Sequence, residues 1–113
     1  ECGMLGDFLI VMVGGFGRTP KVFTFDGAET KPPGRDHWSA IRSAYFEGGG
    51  FPGGAVFGES DPLGACPKSD PHTPENKAAT SCDALGLPRT IVWEDRLDRP
   101  HQVYHGDPIC GLS

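Results

Sequence analysis

The longest apolar stretch of the chain is Phe8-Leu9-Ile10-Val11-Met12-Val13, six residues with no polar member. A continuous apolar run of this length predicts a strand covered on both faces, as in a parallel sheet. Gly14-Gly15-Phe16-Gly17 ends it and places the next residues in a loop at the strand's C-terminal edge, where open α/β sheets bind ligands. Residues 21–36 read as a long irregular segment whose most turn-like part is Lys31-Pro32-Pro33-Gly34. A second strand is expected from Ile41 to Glu47, stopped by Gly48-Gly49-Gly50, and a short third from Ala55 to Phe57.

The helical signal is concentrated at Pro74 to Leu85. Thr73 is a good N-cap, Pro74 suits the first helical position, and Glu75 favours the positive end of the helix dipole. Ala78, Ala79, Cys82 and Leu85 recur at 3–4 spacing, giving one apolar face. Gly86 supplies the C-terminal stop and Pro88 blocks resumption. Thr90 to Trp93 reads as a further short strand, and the tail from Glu94 to Ser113 as turn-rich. Two to four short strands and one helix at 74–85 follow an α/β grammar. They are too few to cover both faces of a sheet, so the sheet is expected to continue into chain beyond these residues.

Composition sharpens this picture. With 113 residues the chain is at most one domain, or part of one. It carries 17 Gly and 11 Pro, a level at which loops dominate and need a scaffold. A formal net charge of −5, with its basic residues scattered, argues against a nucleic-acid or anionic-membrane partner. No window approaches the roughly 20 apolar residues of a membrane span, and no basic segment followed by an apolar one marks a signal peptide.

Cys2, Cys66, Cys82 and Cys110 form no CxxC pair, which weakens a zinc-knuckle or redox-motif reading. They allow three full disulfide pairings. An end-to-end Cys2–Cys110 bridge would suit an oxidising compartment, while plain buried thiols are the alternative.

Several residues carry candidate chemistry. His37, in a Gly-rich loop beside Asp36, has the character of a metal ligand, with Asp36 ligating or orienting the ring; the competing reading is a loop that satisfies its own backbone. Arg18, after the glycine-rich strand end, is placed to grip a sulfate or phosphate, or else to bond loop carbonyls. Arg35 repeats the idea more weakly, with an ion pair to an acid as its alternative. The glycine runs at 48–50 and 53–54 lack the ending of a phosphate-cradling loop and read as tight turns. His101 and His105 stand four apart, but Pro100 and Gly106 argue against a helix that would align them. Ser39, Ser43 and Ser81 lack a nucleophile-elbow context, so no catalytic nucleophile is assigned.

One ordered series carries a resemblance. It runs from Gly14-Gly15-Phe16-Gly17-Arg18-Thr19-Pro20-Lys21 and Gly34-Arg35-Asp36-His37-Trp38 through Gly58-Glu59-Ser60-Asp61 and Thr73-Pro74-Glu75 to Asp98-Arg99-Pro100. From about Phe8 to Ile109 the chain resembles the C-terminal part of an uncharacterised, exported, sulfatase-like bacterial family of planctomycete type, within the alkaline-phosphatase superfamily. The resemblance implies a fragment of a much longer protein and the C-terminal portion of a doubly wound α/β sheet.

It also implies metal-dependent sulfate or phosphate ester hydrolysis, with zinc, manganese or calcium as the divalent metal and an extracytoplasmic (periplasmic or secreted) location. On this reading His37 and Asp36 serve the metal and Arg18 and Arg35 the anion. The partner is the N-terminal remainder of the same fold or another protein chain, and the isolated chain is inactive. Two departures stand out: the family's motif has Glu where this chain has Gly15, and the segment from Lys21 to Gly34 is longer than expected. They point to the second reading, a non-catalytic structural or interaction subunit. A small disulfide-stapled secreted domain is a third.

Overall fold

A computed structural model describes residues 3–24 and 32–112. After a 3-10 turn at Met4–Gly6 the strands are β1 (Leu9–Val13), β2 (Gly17–Arg18), β3 (His37–Trp38), β4 (Ala44–Gly48), β5 (Glu59–Ser60) and β6 (Pro67–Ser69). The helix α1 (Pro74–Ala84) follows, then β7 (Val92–Glu94) and β8 (Pro100–Gln102). These strands form four separate two-stranded sheets, β1 with β4, β2 with β3, β5 with β6 and β7 with β8. The last three are antiparallel.

This corrects the expected fold class. The described residues form small strand pairs and one helix, and no strand joins two of the sheets into an α/β layer. The physical cause lies in the punctuation. Glycines 48, 49, 50, 54, 58 and 64 all take positive φ, so extended runs end after two to five residues. The strand expected at Ala55–Phe57 does not form, being closed in by two of these turns, at Gly54 and Gly58. β4 begins three residues later than the sequence pattern indicates.

β1 lies where the apolar run places it, but both its faces are not covered. Leu9 is half-buried and Ile10, Val11, Met12 and Val13 are exposed, Met12 at 60%. The strand has one hydrogen-bonded neighbour, β4.

The chain divides into two compact units. The first comprises Glu1–Val11, Phe46–Val56 and His72–Ser113. It holds the four buried residues found among those described: Ala79, Thr80, Tyr104 and Ile109. α1 starts on a capping box in which Thr73 Oγ1 accepts from Asn76 N while the Asn76 side chain accepts from Thr73 N. Thr80, on the next turns, donates from its hydroxyl to Asn76 O and accepts from Ile109 N, pinning the 104–109 segment to the helix. Asn76 Nδ2 donates to Asp107 O, and Tyr104 Oη donates to Leu87 O. Gly106 completes this seam. Its φ is +91, and a Cβ there would stand 2.8 Å from the Glu75 backbone, so only glycine fits.

The second unit comprises Met12–Tyr45 and Phe57–Pro71. Hydrogen bonds rather than buried side chains tie its loops. Trp38 Nε1 donates to Ala65 O at 2.6 Å, and Ala65 N donates to Asp61 Oδ1 at 2.7 Å.

Candidate functional site

The two motif segments singled out in the sequence meet in the second unit. Gly17 pairs with Trp38 and Arg18 with His37 across the β2–β3 ladder. Thr19 extends it: its backbone N–H donates to Asp36 O, and its hydroxyl accepts from Asp36 N while donating to Lys21 O. Gly17 makes the close approach possible, because a Cβ there would run into the carbonyl oxygen of Ile41. At Gly15, by contrast, a Cβ would meet open space, and the Gly15 carbonyl accepts from Arg42 Nη1.

Side chains alternate between the two faces of an extended ladder, and directly opposed residues share a face. Phe16, Arg18 and His37 therefore lie on one side. The ring contact between Phe16 and His37, edge-on at 5.8 Å, agrees with this. Arg35 lies two residues before His37, outside β3. Arg18 Nη1 reaches Arg35 O at 3.3 Å, which uses one of its five N–H donors. Arg18, Arg35 and His37 are exposed, and none of them enters an ion pair among the described residues. The alternative assigned to Arg35, an ion pair with an acid, is thus not seen there.

Asp36 precedes β3, and its backbone carbonyl and N–H are both bonded to Thr19. Among the described residues no three His, Cys, Asp or Glu side chains come together as a metal would require. Arg18 is the register partner of His37, and its positive charge would oppose a divalent cation held there. The residues present do not fit the metal that the resemblance implies.

Cys66 and Cys110 are exposed and Cys82 is half-buried, all with free thiols; Cys2 lies outside the described residues.

A second polar cluster went unnoticed in the sequence. In the β7–β8 hairpin Trp93 faces His101, and their rings stack at 4.9 Å. Asp95 Oδ1 accepts from Leu97 N and Arg99 N, while Oδ2 accepts from the Arg99 guanidinium and lies 3.1 Å from His101 Nε2. The Arg99 side chain and the Leu97 backbone N–H hold the Asp95 carboxyl well below its ordinary value of 3.8, at about 2. An Asp at the start of a turn two and four residues ahead of free backbone N–H groups is the signal that marks such a loop. His101 belongs with Asp95 and not with His105.

No helix among the described residues is long and apolar enough to cross a membrane. No curated protein and no solved structure matches the chain. A protein-family match covers residues 1–112 and names no activity. On that near-complete match, the chain belongs to the DUF1501 family, described as a protein of unknown function.

Proposed function

We propose that this chain is an oxyanion-binding segment of a protein that handles sulfate or phosphate esters, and that it does not turn over substrate by itself. The observation that carries this reading is the β2–β3 ladder, where Arg18, and Arg35 just before β3, stand exposed with no acid paired to them among the described residues. Guanidinium groups offer the planar, multiple N–H donors that sulfate and phosphate oxygens accept. The resemblance to an exported, sulfatase-like family supports the ester class and an extracytoplasmic location. On this reading the nucleophile and the rest of the catalytic machinery come from outside this segment. Incubating the purified 113-residue chain with p-nitrophenyl sulfate and p-nitrophenyl phosphate is expected to release no nitrophenol above the buffer rate. Catalytic release abolished by Arg18→Gln would overturn the claim that the segment is incomplete.

A second reading, a non-catalytic interaction subunit, is favoured by β1. An exposed apolar strand with one neighbour offers a row of backbone donors and acceptors to a further strand, and it carries no charge or proline to block pairing. Light scattering after size exclusion tests it. Self-association relieved by Val11→Lys supports this reading, and a monomer that binds no hydrophobic dye counts against it.

A further inference from the structure

We infer that His37 serves an anion and not a metal: its imidazole N–H and the Arg18 guanidinium together form a two-sided clamp for a tetrahedral oxyanion such as sulfate or phosphate. The inference rests on the oxyanion-binding reading above and adds the second jaw of that site.

Three observations carry it. The register sets Arg18 directly opposite His37, and directly opposed residues in an antiparallel pair hold their Cβ atoms about 4.5–5.5 Å apart. Both side chains therefore reach the same small volume above the ladder. That volume is rich in donors: four of Arg18's five N–H groups remain after its bond to Arg35 O, and an imidazole carries an N–H in either charge state. No acid is ion-paired to Arg18, Arg35 or His37 among the described residues.

The scaffold beneath is fixed. Thr19 ties the end of β2 to Asp36, the residue before β3, through two hydrogen bonds, and the Phe16 ring packs against the His37 ring. A cation placed here would meet Arg18 and Arg35, whereas an oxyanion supplies acceptors to every donor and relieves the unfavourable juxtaposition of like charges. Arg42 donates to the Gly15 carbonyl, and Lys21 lies over the Phe23 ring.

The test is calorimetric titration of sodium sulfate and of inorganic phosphate into the full 113-residue chain and its variants, with amide NMR spectra confirming that each variant keeps its fold. Arg18→Gln and His37→Ala are each expected to weaken sulfate binding about 10-fold or more, the scale of one charge-assisted hydrogen bond. His37→Asn, which restores an N–H donor, is expected to recover part of that loss, a rescue that a merely structural role would not give. Asp36→Asn should leave sulfate affinity unchanged. Sulfate binding that depends on Arg18 but is untouched by His37→Ala would overturn the clamp while leaving the oxyanion-binding segment standing. No sulfate or phosphate binding to the unaltered chain would remove both. Zinc binding lost in both His37→Ala and Asp36→Asn would restore the metal assignment and overturn the inference.

Discussion

The hydroxyl of Thr80 accepts a hydrogen bond from the backbone N–H of Ile109 at 2.9 Å, and both residues are buried. In a chain with so little buried surface, this bond fastens the C-terminal segment to α1. Thr80→Val keeps the volume but leaves the Ile109 N–H without its partner. A buried donor left unpaired costs about 1–3 kcal/mol. Urea denaturation followed by helical circular dichroism should show a loss of that size, and an unchanged midpoint would mean that the seam does not hold the helix.

Gly106 supports the same seam from the other side. Gly106→Ala forces a side chain into positive φ and against the Glu75 backbone. The backbone conformation alone costs about 1–3 kcal/mol, and the collision adds to it. The expected result is a larger destabilisation than that of Thr80→Val, read in the same denaturation experiment.

The motif glycines divide by the space around them. Gly17→Ala would strike the Ile41 carbonyl and is expected to disorder the β2–β3 ladder, visible as loss of Arg18 and His37 amide dispersion in NMR spectra. Gly15→Glu places its Cβ in open space and is expected to change the unfolding free energy by no more than about 0.5 kcal/mol, as for a surface change. The departure from the family pattern at Gly15 is therefore sterically reversible, whereas Gly17 is not.

The β7–β8 hairpin should depend on acid. A carboxyl whose folded pKa is depressed contributes stability above its unfolded value and loses it as pH falls through the folded one. For Asp95 that window runs from 3.8 down to about 2. Trp93 fluorescence, which reports its stacking on His101, is expected to hold at pH 4 and change on acidification towards pH 2. Asp95→Asn should already show the altered spectrum at pH 7 and lose the transition. A transition unchanged in that variant would assign the acid response to another group.

How much of this could be read from the sequence follows from what fixes each element. α1 was legible because its signals are local: Thr73, Pro74 and Gly86 act within a turn of where they stand. Only Asn76 as the reciprocal cap escaped notice, since it is not the usual Glu or Gln. The ladder of β2 and β3 was not legible. Two-residue strands carry no periodicity, and the Thr19 hydroxyl that binds Asp36 acts across 17 positions. β8 opens on Pro100, which marks a turn in sequence but is tolerated as the first residue of a strand. The β1 run was placed correctly and its surroundings were not, because an apolar pattern states what a segment avoids and not whether anything covers it.

For the candidate site, residue type singled out His37, Arg18 and Arg35, while the pairing of Arg18 with His37 is a register that only the paired strands supply.

The most direct test is an NMR titration of the unaltered chain with sodium sulfate, following the Arg18 side-chain N–H and the His37 ring nitrogens together. The account expects both to shift along one binding curve with a single dissociation constant. A His37 ring that stays still while Arg18 moves, or that responds to zinc and not to sulfate, would contradict it.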